Sequence, residues 1–266
     1  MKEGLKAYDQ WQLAALRITI AGLFLLPFIR WRNVKIPRKD FKIFALSGLL
    51  GNTIPAFLFT IAQTKLSSSM SGALNSLTPI FVLIVGLVFM GVSFNRYKLY
   101  GVILGLTGAL TLIFSQGFII TDNEMGHSIY VVIAALCYGT NVNIIKYKLG
   151  HYPPFLVAAL PLAMMAVITT VILLFIGLPS NALSVEIWRP SIAVVVLAVF
   201  GTSLSLIWFN KLIQATNAVF ASSVTYLIPI VALFWGLIDG EKINLIQIIG
   251  LAIILLAIWI VNKTVK

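Results

Sequence analysis

Two polar residues in otherwise apolar stretches each stand four positions before a proline, Asn75 before Pro79 and Thr225 before Pro229. Proline has no backbone N–H, so the carbonyl four residues earlier loses its helical hydrogen bond. Each position therefore combines a polar side chain with a freed carbonyl, and the two together can bind a polar solute through hydrogen bonds. The alternative is a kink that only shapes helix packing, with Pro79 and Pro229 as structural residues.

A second pair of polar positions lies halfway along two other apolar stretches, at Asn52 and Thr202. An amide and a hydroxyl at such a position offer hydrogen-bond donors and acceptors where water is scarce. Alternatively, these side chains bond their own helix or a neighbouring one, which contributes well under about 2 kcal/mol each. The residues that flank them are small or polar, namely Gly51, Thr53, Gly201 and Ser203.

Aromatic residues and a further amide are candidates for the same solute site. Tyr138 and Asn141 share one apolar run, and Trp208 and Tyr226 add aromatic surface elsewhere. The alternative for these residues is interfacial anchoring or core packing. We predict a substrate site lined by Asn52, Asn75, Tyr138, Asn141, Thr202, Trp208, Thr225 and Tyr226.

Arg17 is a basic residue inside an apolar run. A charge in the membrane interior costs at least about 2.5 kcal/mol unless it is paired or reaches the interface. Its guanidinium either contacts a substrate carboxylate, orients a helix, or extends to the outer interface near Trp11. We assign Arg17 a structural role.

Catalytic and metal chemistry has little support in this sequence. The chain has one cysteine, Cys137, and no H-E-x-x-H motif. Its two histidines, His127 and His151, lie near the ends of apolar runs, and we expect neither to pair with an acid. We expect no metal, no cofactor and no catalytic residue. The alternative functions are a membrane-embedded enzyme and a channel or scaffold. A channel would need a ring of polar residues along a pore, whereas the polar residues here are scattered.

The composition indicates which elements must position these residues. Of the 266 residues, 60% are hydrophobic and 10% are charged, against roughly 25% charged residues in ordinary soluble domains. Lipid is the solvent that suits such a surface, and a helix needs about 20 apolar residues to cross it. We predict an all-α, polytopic helical membrane protein with nine transmembrane helices, at Leu13–Trp31, Ile43–Ala62, Met70–Val92, Leu99–Phe114, Ile129–Ile145, Pro154–Leu178, Ile192–Leu212, Ala218–Ile238 and Ile243–Val261.

Charged residues segregate between alternate loops. The loop 30–42 carries six basic residues and one acid, which predicts a cytoplasmic location. Alternation from this loop puts 13 of the 19 basic residues inside and seven of the eight acids outside. The net charge of +11 therefore belongs to short loops and does not indicate a nucleic-acid partner. We predict that Lys35 faces the cytoplasm and Asn123 the exterior.

The chain repeats itself at an offset of about 150 residues. Six residues of the first half recur in eleven positions, where Leu77, Pro79, Ile80, Leu83, Gly86 and Leu87 match Leu227, Pro229, Ile230, Leu233, Gly236 and Leu237. At an offset of 144, Ala14–Leu16 matches Ala158–Leu160. We predict two repeats, 1–120 and 127–266. An odd number of helices per repeat inverts the second copy in the membrane, an arrangement typical of secondary transporters with a midplane site between the repeats.

The run around Tyr138 has no counterpart in the first half. The polar segment Met1–Tyr8 aligns with Ile145–Tyr152, the loop that follows this run. We infer an ancestral plan of five plus five helices, and we predict that the natural gene encodes a further apolar helix upstream of Met1.

Three segments carry a family resemblance that runs along the whole chain: AALRITIAGLFLLP at Ala14–Pro27, AQTKLSSSMSGALNSLTPIFVLIVG at Ala62–Gly86 and NAVFASSVTYLIPIVALFWG at Asn217–Gly236. The sequence resembles the EamA-type members of the drug/metabolite transporter superfamily, lacking the first helix. The resemblance implies transport of amino acids, amines, related metabolites or drugs across the plasma membrane (the inner membrane in bacteria), frequently as export. The expected partners are a small-molecule substrate and the lipid bilayer.

The spacing of Gly101 and Gly105 forms a G-x-x-x-G motif. Such a motif permits close helix packing, either within one subunit or between two copies. Both a monomer and a homodimer are therefore open.

Overall fold

The computed structural model describes residues 1, 3–29, 36–66, 68–114, 122–179, 187–228, 230–231 and 245–263. Throughout these residues the regular secondary structure is helical. The chain forms two compact units, Met1–Thr64 with Ile144–Ala215 and Lys65–Asn143 with Thr216–Lys266. Each unit thus combines segments from both halves of the sequence.

The first unit is built from helices of the two sequence halves. Its helices are α1 (Gln10–Leu25), α2 (Arg38–Gly48), α3 (Ile54–Ala62), α8 (Pro154–Ile176), α9 (Trp188–Ala198) and α10 (Ser205–Ala215). A π turn at Leu49–Thr53 joins α2 to α3, and another at Val199–Leu204 joins α9 to α10. Each of these pairs is therefore one continuous rod with an irregular turn in its middle.

The second unit contains shorter helical pieces beside three long helices. Its helices are α4 (Ser68–Asn75), α5 (Thr78–Phe89), α6 (Arg96–Phe114), α7 (Asp122–Lys148), α11 (Ala218–Ser222) and α12 (Leu245–Asn262). The last turn of α7, from Ile144, belongs to the first unit. A 3₁₀ turn at Ser223–Tyr226 follows α11.

Six of these helical stretches are long and apolar enough to cross a membrane. They are Gln10–Phe28, Arg38–Ala62, Gly126–Lys148, Pro154–Ile176, Trp188–Ala215 and Leu245–Asn262. The third predicted span is interrupted between Asn75 and Thr78, which leaves the short apolar helix Thr78–Phe89. The fifth is longer than its apolar run, because polar residues at both ends continue the helix. The total of nine remains a prediction.

Helix α1 begins at a capping box. The carboxylate of Asp9 accepts hydrogen bonds from the backbone N–H groups of Trp11 and Gln12, and the Gln12 side chain accepts one from the Asp9 N–H at 3.1 Å. These bonds satisfy N–H groups that have no partner within the helix. The polar–apolar boundary in the sequence therefore coincides with the start of the helix.

Small residues bring α1 and α8 together in the first unit. A Cβ added at Gly22 would lie 2.5 Å from the Leu162 carbonyl oxygen and 2.6 Å from the Ala166 Cβ. Three residues earlier on α1, the Thr19 hydroxyl bonds the Thr169 hydroxyl at 2.8 Å. Higher residue numbers on α1 therefore contact lower residue numbers on α8, so the two helices are antiparallel. In lipid, such close packing with interhelical hydrogen bonds holds helices together.

Glycines perform the same role in the second unit, between α6 and α12. A Cβ added at Gly108 would lie 3.0 Å from the Gly250 carbonyl oxygen, and one added at Gly250 would lie 3.1 Å from the Gly108 oxygen. At Gly101 the added atom would collide with Val261. Gly101 of the G-x-x-x-G motif therefore packs against a helix of its own chain. The oligomeric state remains a prediction.

Candidate functional site

The two π turns of the first unit begin 150 residues apart, at the offset of the predicted repeat. Single π turns within α-helices are frequent at functional sites, because the extra residue disturbs the regular hydrogen bonds and re-aims side chains. Asn52 and Thr53 lie in the first turn, and Thr202 and Ser203 lie in the second. All four are buried, with exposed fractions of 8% or less. The predicted pair Asn52 and Thr202 therefore lies at two structurally special positions.

Side-chain hydroxyls of the second π turn donate hydrogen bonds to backbone carbonyls of the turn before it. The Thr202 hydroxyl donates to the Leu197 carbonyl at 3.2 Å, and the Ser203 hydroxyl donates to the Ala198 carbonyl at 3.1 Å. Ser203 also lies 2.9 Å from the Ala21 carbonyl oxygen on α1. This turn is thereby tied to α1.

Arg17, on α1, donates a hydrogen bond to the same π turn. Its Nε donates to the Thr202 hydroxyl oxygen at 2.9 Å, and its Nη1 lies 3.9 Å from the Met1 sulfur. Thr202 therefore donates to Leu197 while it accepts from Arg17. The bond to Thr202 in the π turn gives Arg17 a helix-orienting position, one of the alternatives that the sequence left open.

The first π turn has a different environment. The Thr53 hydroxyl is buried and has no hydrogen-bond partner among the described residues. The following helix α3 carries Pro55 in its first turn, where the second turn has Ser205. Proline supplies neither an N–H nor a hydroxyl. The two turns therefore share a position and a shape but differ in how their polar groups are satisfied.

In the second unit, the break between α4 and α5 follows the predicted proline rule. Pro79 offers no N–H to the Asn75 carbonyl, and the Thr78 hydroxyl donates to that carbonyl at 2.7 Å instead. The same hydroxyl lies 3.2 Å from the Asn75 side-chain oxygen. The carbonyl that the sequence predicts to be freed is thus engaged by a side chain from the next turn.

Thr225 lies in the 3₁₀ turn after α11, where its hydroxyl donates to the Ser222 carbonyl at 2.9 Å. Its proline, Pro229, lies outside the described residues. The neighbouring Tyr226 is fully buried in a cluster with Ala109, Leu112 and Ile254, and its hydroxyl donates to the Val102 carbonyl at 2.8 Å. In this conformation Tyr226 packs in the core of the second unit.

Tyr138 and Asn141 lie on α7, the first half-buried and the second buried with 6% exposure. Two residues further, Asn143 donates to the Val82 carbonyl at 2.9 Å and so attaches α7 to α5. Trp208 is 69% exposed, and the Lys211 ammonium lies 5.5 Å from its ring centre. This is the geometry of an interfacial anchor, the alternative stated for the aromatic candidates.

The structure adds a polar cluster that the sequence did not indicate. The buried carboxylate of Asp40, at the start of α2, accepts a hydrogen bond of 2.6 Å from the Tyr152 hydroxyl. The His151 Nε2 lies 3.8 Å from the same carboxylate, and the Gln214 amide donates to the Tyr152 carbonyl. Burial and the bond to Asp40 raise the pKa of Tyr152 to about 12. The cluster connects three segments of the first unit near their ends.

A counterpart of this tyrosine contact involves Tyr8, which aligns with Tyr152 at the offset of 144. The Tyr8 hydroxyl and the Ser191 hydroxyl of α9 are 2.6 Å apart. The alignment of Met1–Tyr8 with Ile145–Tyr152 contained this signal, since each segment ends in a tyrosine just before a long helix.

The family comparison covers nearly the whole chain. The model of the EamA-like transporter family matches residues 1–114 and 126–263. Among full-length relatives, the uncharacterized inner membrane transporter YedA of Escherichia coli is 25% identical over 97% of this chain and 83% of its own. An uncharacterized transporter of Archaeoglobus fulgidus is 28% identical over 94% and 88%.

A plant protein and a solved structure are also similar to this chain. The WAT1-related protein At1g25270 of Arabidopsis thaliana is 34% identical, but over only 40% of this chain and 32% of its own length. A crystal structure superposes with a TM-score of 0.76 at 17% identity, covering 98% of this chain and 91% of that one, which shows a shared fold. With its apolar helices, the chain is a multi-pass plasma-membrane protein. It belongs to the EamA-like transporter family and is a membrane transporter.

Proposed function

We propose that this chain is a secondary transporter that exports small polar metabolites by alternating access. The observation that carries the proposal is the pair of π turns at equivalent positions, each holding two buried polar side chains. Irregular backbone inside a membrane is tolerated where protein or a water-filled cavity covers it. A pair of such turns, one in each sequence half, supports a solute path. The direction of transport, export, is proposed from the family resemblance.

Antiparallel packing of α1 and α8 in the first unit supports the inverted-repeat part of the proposal. Helix α1 packs antiparallel on α8, its counterpart at the offset of 144, with Gly22 against Ala166. Gly22 and Ala166 are themselves equivalent at that offset. A two-fold axis between inverted repeats brings equivalent residues into contact in this way. The division into repeats 1–120 and 127–266 is part of the proposal.

The proposed substrate residues begin with Asn52 and Thr202. Their side chains are buried, and hydrogen bonds to a solute at such positions are directional and selective. The broken helices that hold Asn75 and Thr225 are a second pair of candidates. The prediction that all four residues line one cavity stays a prediction, as does the contribution of Tyr138, Asn141, Trp208 and Tyr226.

The test is transport by the purified protein in proteoliposomes, with a panel of amino acids, amines and sugars as substrates. We expect saturable uptake that discriminates among solutes of similar size. Flux that rises linearly with concentration would indicate a channel, and conversion of a solute would indicate an enzyme.

Substitution locates the site in the same assay. We expect Asn52→Ala to reduce transport about tenfold, which corresponds to about 1.4 kcal/mol and one hydrogen bond. A matched control is Thr107→Val, because this exposed hydroxyl only bonds the carbonyl of Ile103 on its own helix. Equal transport by both variants would place the site elsewhere.

A further inference from the structure

The two π turns begin 150 residues apart, but their polar side chains differ in hydrogen bonding. Those of the second turn are bonded within the protein, whereas the Thr53 hydroxyl of the first has no partner among the described residues. In the second turn, Arg17 donates to Thr202, and the hydroxyls of Thr202 and Ser203 donate to carbonyls 3.1–3.2 Å away on the preceding turn. The Ser205 hydroxyl closes the end of this turn by donating to the Gly201 carbonyl at 2.8 Å. At the offsets of the predicted repeat, each of these residues has a counterpart in or near the first turn.

The equivalent of Arg17 is Pro161, at the offset of 144. Pro161 lies on α8 beside the first turn, since a Cβ added at Gly48 would lie 2.9 Å from its carbonyl oxygen. Its ring has no N–H to donate. Where the second turn receives a cationic N–H donor from Arg17, the first turn faces a residue that cannot supply one.

The equivalents of Ser203 and Ser205 are Thr53 and Pro55. Thr53 is 7% exposed, and its buried hydroxyl has no hydrogen-bond partner among the described residues. The Ser205 hydroxyl donates to the Gly201 carbonyl, whereas Pro55 has no hydroxyl to offer the equivalent Gly51 carbonyl. A buried polar group without a partner costs about 1–3 kcal/mol, so its presence beside a functional turn points to a ligand.

We propose that the first π turn binds the ammonium group of a primary-amine solute, at a subsite formed by the Asn52 amide oxygen, the Thr53 hydroxyl and the Gly51 carbonyl. A primary ammonium carries three N–H donors and no acceptor, which matches three oxygen acceptors. The solute supplies the cationic donor that Arg17 supplies in the equivalent turn. This subsite rests on the proposed transport function and specifies the substrate class for it.

The direct test is binding to the purified full chain in detergent, followed by thermal stabilisation. The probes are n-butylamine, butyltrimethylammonium and n-butanol, which share one alkyl chain. Trimethylation keeps the charge but removes all N–H donors, and the alcohol removes the charge. We expect stabilisation by n-butylamine and at least tenfold weaker effects of the other two. Equal effects of all three, or none from n-butylamine, would overturn the proposal.

Two variants separate binding from folding. Thr53→Val removes the hydroxyl while keeping the side-chain shape, and Pro55→Ser installs the residue that closes the second turn. We expect each to weaken n-butylamine binding about tenfold, and Thr53→Val to melt at the wild-type temperature or above, because no bond within the protein is lost. The matched control is Thr169→Val, the same substitution at a buried threonine of α8 whose hydroxyl bonds the Thr19 hydroxyl at 2.8 Å. It should melt lower without a change in n-butylamine affinity.

The outcomes distinguish this proposal from the transport proposal. If Thr53→Val and Pro55→Ser bind n-butylamine as the wild type does, the ammonium subsite is wrong, whatever the flux assay shows. If proteoliposomes show no saturable flux while n-butylamine binding responds to both variants, the subsite stands and the transport mechanism is wrong.

Discussion

The Nε atom of Arg17 lies 2.9 Å from the Thr202 hydroxyl, across 185 residues of sequence. This bond connects α1 to the π turn between α9 and α10 inside an apolar protein. It places a buried hydroxyl between a cation and a backbone carbonyl, so Thr202 has a structural task in addition to any contact with a solute.

The first prediction concerns this bond. Thr202→Val should lower the free energy of unfolding by about 1–3 kcal/mol, because the guanidinium and the Leu197 carbonyl both lose a partner in a buried site. The measurement is thermal unfolding of the purified protein in detergent. Thr107→Val is the control, because it makes the same chemical change at an exposed hydroxyl that bonds a carbonyl of its own helix. Its free energy of unfolding should stay within about 0.5 kcal/mol of the wild-type value. Equal melting of the two variants would contradict the structural role of Thr202.

The second prediction concerns the glycine packing of α6. A Cβ added at Gly105 would collide with the ring of Tyr226, which is fully buried. Gly105→Ala should therefore destabilise the protein by about 1–3 kcal/mol through overpacking. Gly126→Ala is the control, since nothing lies within 4 Å of its added Cβ, and it should be neutral or slightly stabilising. Denaturation in a series of urea or detergent mixtures provides the comparison, and an unaffected Gly105→Ala variant would argue against this packing.

The third prediction is a pH dependence at Tyr152. Its pKa rises from 10.0 to about 12 through burial and the bond to Asp40. A raised pKa of the folded state means that the contribution to stability is complete below about pH 10 and is lost as the pH rises towards 12. Wild-type protein should lose this contribution over that range, whereas Tyr152→Phe should lack it. Tyrosinate absorbance, as the difference between the two proteins, reports the titration. A transition centred near pH 10 would contradict the prediction.

The fourth prediction is the orientation in the membrane. The sites predicted from the sequence, Lys35 and the side chain of Asn123, lie outside the described residues. Lys39 and Gly126 are exposed positions in the same two regions. A single cysteine at each, in a Cys137→Ala background, should label from outside intact cells at position 126 and only after lysis at position 39. The reverse pattern would invert the topology.

The helical membrane class could be predicted because it depends on local composition. Apolar runs such as Pro154–Ile176 must be helical in lipid, since each backbone polar group needs a partner within its own segment. The capping residues around Asp9 and the proline break after Asn75 are also local. The freed Asn75 carbonyl was predictable for that reason, while its capture by Thr78 required the local geometry.

Side-chain roles were less predictable, and Tyr226 and Trp208 illustrate the reason. Both are aromatic residues in apolar runs, yet one is fully buried and the other is 69% exposed. A transmembrane helix that is apolar on all sides carries no sequence signal for the face that meets protein and the face that meets lipid. The buried Asp40 also escaped notice, because in the sequence it is one acid in a basic loop.

By itself, the sequence determined that the chain is a helical membrane protein, and it predicted the orientation from the charges of the loops and a repeat at an offset of about 150 residues. Only the tertiary structure decided that Asn52 and Thr202 lie in π turns and that Arg17 satisfies one of these turns while Pro161 stands beside the other. The physical reason is that hydrophobicity and helix formation depend on neighbouring residues. The satisfaction of a buried polar group depends instead on partners from helices more than a hundred residues away.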